Sequence, residues 1–174
     1  MIHQRRKMKM ISAIVYNSLT GSGEKYAKLL SKELHIPAKP MGEYVRSDAQ
    51  VLFISWLFAG KLKGYSKAKK MYNISAVAAV GMSGGVKGSA EFVSKANALP
   101  MSVKAFSLQG GFYMDKLPTP YKLIMKLKNK DIAKRLLAKG ELNAQEKALL
   151  NMASTGTGDP ASWDISEITE WCKK

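Results

Sequence analysis

One cysteine and two histidines occur in the 174 residues. A single thiol, Cys172, excludes an internal disulfide and fits a reducing, cytoplasmic compartment. No histidine lies near it in sequence, so it reads as a plain thiol rather than a nucleophile. His3 falls in the N-terminal stretch and His35 at the end of a predicted helix, where it faces the dipole; neither is placed for a catalytic triad or a metal site. Asp48, Asp115, Asp159 and Asp164 are scattered without ligand spacing, and no metal is expected. Acidic residues are also scarce. Thirteen Asp and Glu stand against 28 Lys and Arg, a formal charge of +15. That excess calls for an acidic partner, which nucleic acid, an anionic membrane or an acidic protein would each provide. Long apolar runs are missing too: the uncharged stretches around 49–60 and 71–86 are too short or too broken to cross a bilayer.

The chain opens on "MIHQRRKMKM", whose basic residues have no long apolar run behind them. Residues 1–9 are read as a basic leader rather than a signal peptide. One domain is expected from 10 to 174, large enough to bury a core without disulfides or metals. Within it, apolar runs at 9–16, 51–55, 76–82 and 102–108 predict strands covered on both faces. "IPAKP", residues 36–40, suits a short edge strand, where proline is tolerated. Helical patterns at 24–34, 67–72, 89–96 and near 166–172 separate or follow them. Five strands interleaved with helices predict an α/β fold, a doubly wound five-stranded parallel sheet with helices on both faces.

In such a sheet ligands bind beyond the carboxyl ends of the strands. Polar, flexible clusters follow the predicted strands at 17–23, 55–60 and 82–85, and "QGGFYMD" follows the last strand from Gln109; the four loops converge on one edge. In the first, Gly21 and Gly23 let the main chain curl around a ligand at a helix start. The hydroxyls of Ser18, Thr20 and Ser22 can donate to phosphate oxygens alongside the free backbone amides, a combination suited to phosphate. The spacing is not that of a nucleoside triphosphate loop, since Lys25 follows Glu24 and no hydroxyl residue comes after it. Nor is it a dinucleotide fingerprint, because Tyr26 stands where a third glycine belongs. For this loop alone, an ordinary capped strand-to-helix turn is the alternative.

The three loops together resemble those of the flavodoxin-like FMN-binding family. "SLTGSG", made of Ser18, Leu19, Thr20, Gly21, Ser22 and Gly23, is similar to the [Thr/Ser]-x-Thr-Gly-x-Thr loop that holds the FMN phosphate, with Gly23 in place of the final hydroxyl residue. "SWLFAGKLKGY", which opens with Ser55, Trp56, Leu57, Phe58, Ala59 and Gly60, resembles the flavin-flanking loop after the third strand. "GMSGG", with Met82, Ser83, Gly84 and Gly85, resembles the loop after the fourth. The resemblance implies FMN as cofactor and no catalytic side-chain acid or base. Trp56, with Leu57 or Phe58, would stack on the isoalloxazine, whose flat faces are apolar and whose edge is polar; packing of the core is the alternative role for Trp56. A backbone carbonyl that turns toward the flavin falls, on the same resemblance, at Ala59 or its neighbour.

An insertion of about 114–163 precedes the last helix. It carries an apolar stripe of Tyr121, Ile124, Met125 and Leu127 among lysines, and a second segment with Ile132, Leu136 and Leu137. The stretch that begins at Tyr121 and ends at Lys139 is a basic amphipathic element able to lie on an anionic membrane, placing the protein peripherally on its inner face; packing back onto the sheet is the alternative. "YKLIMKLKNK" with "DPASWDISEITEWC" resembles menaquinone-dependent protoporphyrinogen oxidases. Three functions therefore stand: an FMN redox protein carrying electrons between partner proteins, acidic ones given the charge; a membrane-associated, quinone-dependent FMN oxidoreductase; and a basic nucleic-acid-binding module. Nucleic acid is not the expected partner, since the basic residues lack interleaved aromatics in a recognised motif.

Overall fold

The computed structural model describes residues 10–84 and 88–174; the leader read at 1–9 and Gly85 of the third loop lie outside them. Four apolar segments form the heart of a parallel sheet: β1 (Ala13–Asn17), β3 (Val51–Phe58), β5 (Ile74–Gly81) and β6 (Lys104–Gln109). The proline-flanked β2 (Ala38–Pro40) lies at one edge, giving the order β2-β1-β3-β5-β6. Setting aside the short β4 (Lys61–Leu62), which folds back on β3, this is the 2-1-3-4-5 order of the flavodoxin-like fold. Both sheet faces are covered, so successive residues alternate between two cores. Ile14, Leu52, Ile54 and Phe106 face one side, with Tyr26, Ala27 and Leu30 of α1 (Ser22–Leu34) and Ile168 of α6 (Ser166–Cys172). Val15, Phe53, Val77 and Ala79 face the other, with Tyr65 and Ala68 of α2 (Tyr65–Met71) and Val93 of α3 (Ser89–Ala96).

Two element boundaries differ from the sequence reading, each for a physical reason. The third strand runs on past Ser55 to Phe58, so Trp56, Leu57 and Phe58 are strand rather than loop residues. Beyond the reach of β1, this end of β3 pairs antiparallel with β4, Phe58 opposite Lys61. Only Ala59 and Gly60 form the turn, both at positive φ (49° and 79°), as in the two-residue type I′ hairpin. The two basic segments of the insertion are one 21-residue helix, α4 (Thr119–Lys139), which starts beside a proline and stops at Gly140. Leu, Met, Lys and Arg are good helix formers, and no glycine or proline interrupts 121–139.

The insertion is tied down at both ends. β7 (Phe112–Tyr113) pairs antiparallel with β8 (Thr157–Gly158), closing a loop around α4 and α5 (Ala144–Thr155). Asn143 and Glu146 form a reciprocal capping box at the start of α5, and Gly156 closes its end in the left-handed conformation. Leu149 and Met152 are the buried residues of α5. From α4 the single buried residue is Asn129, 4% exposed, and its Oδ1 has no hydrogen-bond partner among the described residues. A desolvated acceptor left without a donor costs about 1–3 kcal/mol. Asn129→Leu is accordingly expected to stabilise the fold by about 1 kcal/mol in urea denaturation; a loss of stability would mean that the amide has a partner in solution.

Candidate functional site

The carboxyl ends of β1 and β3 meet at the switch point of the sheet, where β1 leads to α1 on one face and β3 leads to helices on the other. After Asn17 the chain turns through Ser18, Leu19 and Thr20. Gly21, at φ +106°, is the left-handed residue that admits the chain into α1. No side chain caps that helix. Ser18 Oγ accepts the Gly21 amide at 3.1 Å, while the amides of Thr20, Ser22 and Gly23 have no acceptor among the described residues. These unpartnered donors sit at the positive end of a 13-residue helix. A Cβ at Gly23 would rest in ordinary contact with Ser18 Cβ, 3.4 Å away.

Ser18, Leu19, Thr20, Ser22 and Gly23 line a cavity of about 100 Å³. Trp56, Leu57 and Phe58 from β3 form its next wall, and Val80, Gly81 and Met82 follow from β5. An adjoining cavity of about 310 Å³ shares Leu57, Phe58, Gly81, Met82 and Met125 and adds Ala59, Ser83, Gly84, Phe92 and Lys128. One end of the combined space is thus rich in amides and hydroxyls, the other apolar and aromatic. Trp56 lies edge-on to Phe58 and to Tyr121 of α4, with centroids 6.3 and 5.6 Å apart, and Phe58 meets Tyr121 at 4.9 Å. Lys128 stands 5.0 Å above Phe58 and Lys63 5.5 Å from Trp56, which gives the aromatic wall a cationic rim.

The loop after β6 is held by one side chain. Gln109, 5% exposed, donates from Nε2 to the carbonyls of Met82 (3.0 Å) and Gln145 (2.9 Å), and its Oε1 accepts the Ala161 amide (3.0 Å). Its own carbonyl accepts the Tyr26 hydroxyl at 2.6 Å. Beside it, Ser22 Oγ accepts the Gly111 amide at 2.9 Å, so the helix that opens the first loop also fixes the fourth. Gly84 leaves no room between these parts, since a Cβ there would stand 1.9 Å from the Leu108 carbonyl oxygen.

Of the residues expected to act together, Ser18, Leu19, Thr20, Ser22, Gly23, Trp56, Leu57, Phe58 and Met82 share the first cavity, and Ala59, Ser83 and Gly84 line the second. Three are placed otherwise. Gly21 faces away from both, toward Lys25 and Lys28. The Gly60 carbonyl is held by Asn97 Nδ2 at 2.9 Å, and Gly60 packs under Phe92. Ser55 is fully buried and donates to the Lys63 carbonyl at 2.6 Å, which also accepts Asn17 Nδ2; it braces the loop instead of reaching the cavity. Tyr121 and Met125, read as members of an apolar stripe that either packs back onto the sheet or lies on a membrane, both line the cavity. Gly110, Gly111 and Phe112 join them from the fourth loop, whose position after a strand was visible in sequence. Nothing in the sequence pointed to Gln109 as the joint, because its partners lie 27, 36 and 52 residues away.

Fold and cavities together define a doubly wound α/β protein with two adjoining cavities, of about 100 and 310 Å³, at the carboxyl edge of its sheet. No protein-family model, curated protein or solved structure matches the chain.

Gln109→Leu strips three backbone groups of their partner, and the variant is expected to lose about 3 kcal/mol in urea denaturation. Burial, followed by the nearby Asp164 charge, pushes the Tyr26 phenol far above its ordinary value of 10. The folded state then holds this proton more tightly than the unfolded chain, so stability is complete below pH 10 and falls as pH rises beyond it. Alkaline unfolding followed by circular dichroism is expected to show this slope, and Tyr26→Phe to flatten it.

Proposed function

We propose that the protein binds FMN non-covalently and carries electrons between redox partner proteins, acidic ones given the net charge of +15. The observation that carries the reading is the joining, in one space, of unpartnered amides at the start of α1 with the aromatic wall of Trp56 and Phe58. The donor set fits a phosphate dianion: the amides of Thr20, Ser22 and Gly23 with the hydroxyls of Ser18 and Thr20. The apolar end fits a flat ring with a polar edge, with Trp56, Leu57 and Met82 against its faces. The Ala59 carbonyl has no donor among the described residues and lines the second cavity, which supports its use toward a ring edge. When bound, FMN itself supplies the electron transfer. The protein's part is to grip the phosphate, shield the ring and present a cationic rim of Lys63 and Lys128 to a partner.

A quinone-dependent FMN oxidoreductase of the protoporphyrinogen oxidase type is the second reading. It is supported by the second cavity, where Phe92, Lys128 and Ile132 leave an apolar space beside the aromatic wall that a small acceptor would fill.

Purified protein is expected to show the absorbance bands of oxidised flavin. After flavin removal it should rebind FMN more tightly than riboflavin, by fluorescence quenching. Ser18→Ala with Thr20→Ala should weaken FMN about tenfold and leave riboflavin unchanged, each lost hydrogen bond to a charged group contributing on the order of 1 kcal/mol. Equal affinity for FMN and riboflavin would refute the phosphate site. Turnover of a quinone or porphyrinogen by the flavin-loaded protein would favour the second reading over the first.

A further inference from the structure

α4 is apolar on two sides. Tyr121, Met125, Ile132 and Leu136 are half-buried on its inner side, toward the cavity and the body of the protein. On the opposite side Leu123, Leu127 and Leu137 are 68%, 69% and 70% exposed, and Leu123 and Leu127, with Lys126 and Lys130, border an open groove of about 1170 Å³ whose other wall is residues 153–157 at the end of α5. At 100° per residue these three leucines fall on one arc of the helix, and Lys126, Lys130 and Lys134 fall on the same arc, between and beside them. The nearest acidic side chain on the helix, Asp131, is paired with Arg135 at 2.8 Å, so the three lysines of this arc are not neutralised from their own helix. No described helix is long and apolar enough to cross a membrane.

We propose that this outer face of α4 docks the protein on an anionic lipid surface, with the leucines inserted between headgroups and the lysines reaching the phosphates above them. The composition selects lipid over protein. Protein interfaces favour aromatic residues, Met and Arg at their centre and are depleted in Lys. Here the arc holds leucine and lysine with no aromatic residue and no arginine. Lysine's long apolar stem lets its head stay in a charged layer while the stem lies among acyl chains, which suits a helix lying in the plane of an interface. The charge of the whole chain acts in the same direction. Because Tyr121 and Met125 project from the inner side of the same helix, docking would set the candidate cavity directly behind the membrane-facing surface. The inference rests on the outer face alone and stands or falls independently of the flavin reading.

Flotation of the full-length protein with phosphatidylcholine vesicles, and with vesicles that also contain phosphatidylglycerol, tests it. Binding is expected to the anionic vesicles alone and to fall with added salt. The triple variant Lys126→Gln, Lys130→Gln, Lys134→Gln should bind about a hundredfold more weakly, as removal of three charges near the surface predicts. Leu123→Gln with Leu127→Gln changes only exposed side chains, so its circular dichroism should match the parent while binding is lost. No binding to anionic vesicles by the parent overturns the proposal. So does binding that the lysine variant loses but the leucine variant keeps, which is adsorption by charge without insertion. A concentration-dependent dimer, seen by sedimentation and dissolved by the leucine variant, with no vesicle binding, would assign the face to a second copy and overturn it as well.

Discussion

The buried amide of Gln109 is the joint on which the carboxyl edge of the sheet depends. It reaches the loop after β5 through the Met82 carbonyl, the start of α5 through Gln145, and the segment returning to α6 through Ala161. Each of those segments would otherwise turn a polar backbone group toward the interior without a partner. Tyr26 holds the main chain at the same residue, which ties α1 to the end of β6. The insertion is thereby fastened to the fold at the point where the fold opens its cavity, which is why α4 forms a wall of that cavity rather than a detached arm.

This placement leaves α4 with two apolar sides that a sequence stripe cannot separate. A helix whose apolar residues recur at several angles is apolar on more than one side, and only the body it rests on decides which side is inner. Here the edge-on contacts of Tyr121 with Trp56 and Phe58 set the rotation of α4, and Leu123 and Leu127 are turned outward as a result. The same rotation brings Lys128 over Phe58 and puts Asn129 at the inner boundary with no donor for its oxygen. The unpaired amide is the cost of a rotation fixed elsewhere.

The parallel sheet was legible because its strands are covered on both faces: a run such as that of β5 leaves little choice but burial. α3 was read with its observed bounds, and α1 within two residues, since Leu30 follows Tyr26 by four on a helical face. The prolines marked β2 as an edge. What escaped depended on distant partners. β3 could not be seen to run past Ser55, because the turn that sends it back uses Ala59 in a left-handed conformation usually filled by asparagine or glycine. Ser55 has a small polar side chain suited to a ligand loop, yet its use is set by the Lys63 carbonyl eight residues on. Gln109 looked like the first residue of a loop, and Tyr121 like one more member of a stripe.

At the far edge of the sheet, β2 has only three residues and ends on Pro40, with Pro37 just before it. One side is joined to β1, and among the described residues no strand pairs with the other. Proline has no amide hydrogen to offer an incoming strand, and Lys39 adds a charge that resists stacking of like chains. A sheet rich in Val, Ile, Leu, Ala and Phe is a natural template for fibrils; this short, punctuated border denies another molecule the row of donors it would need to lengthen it.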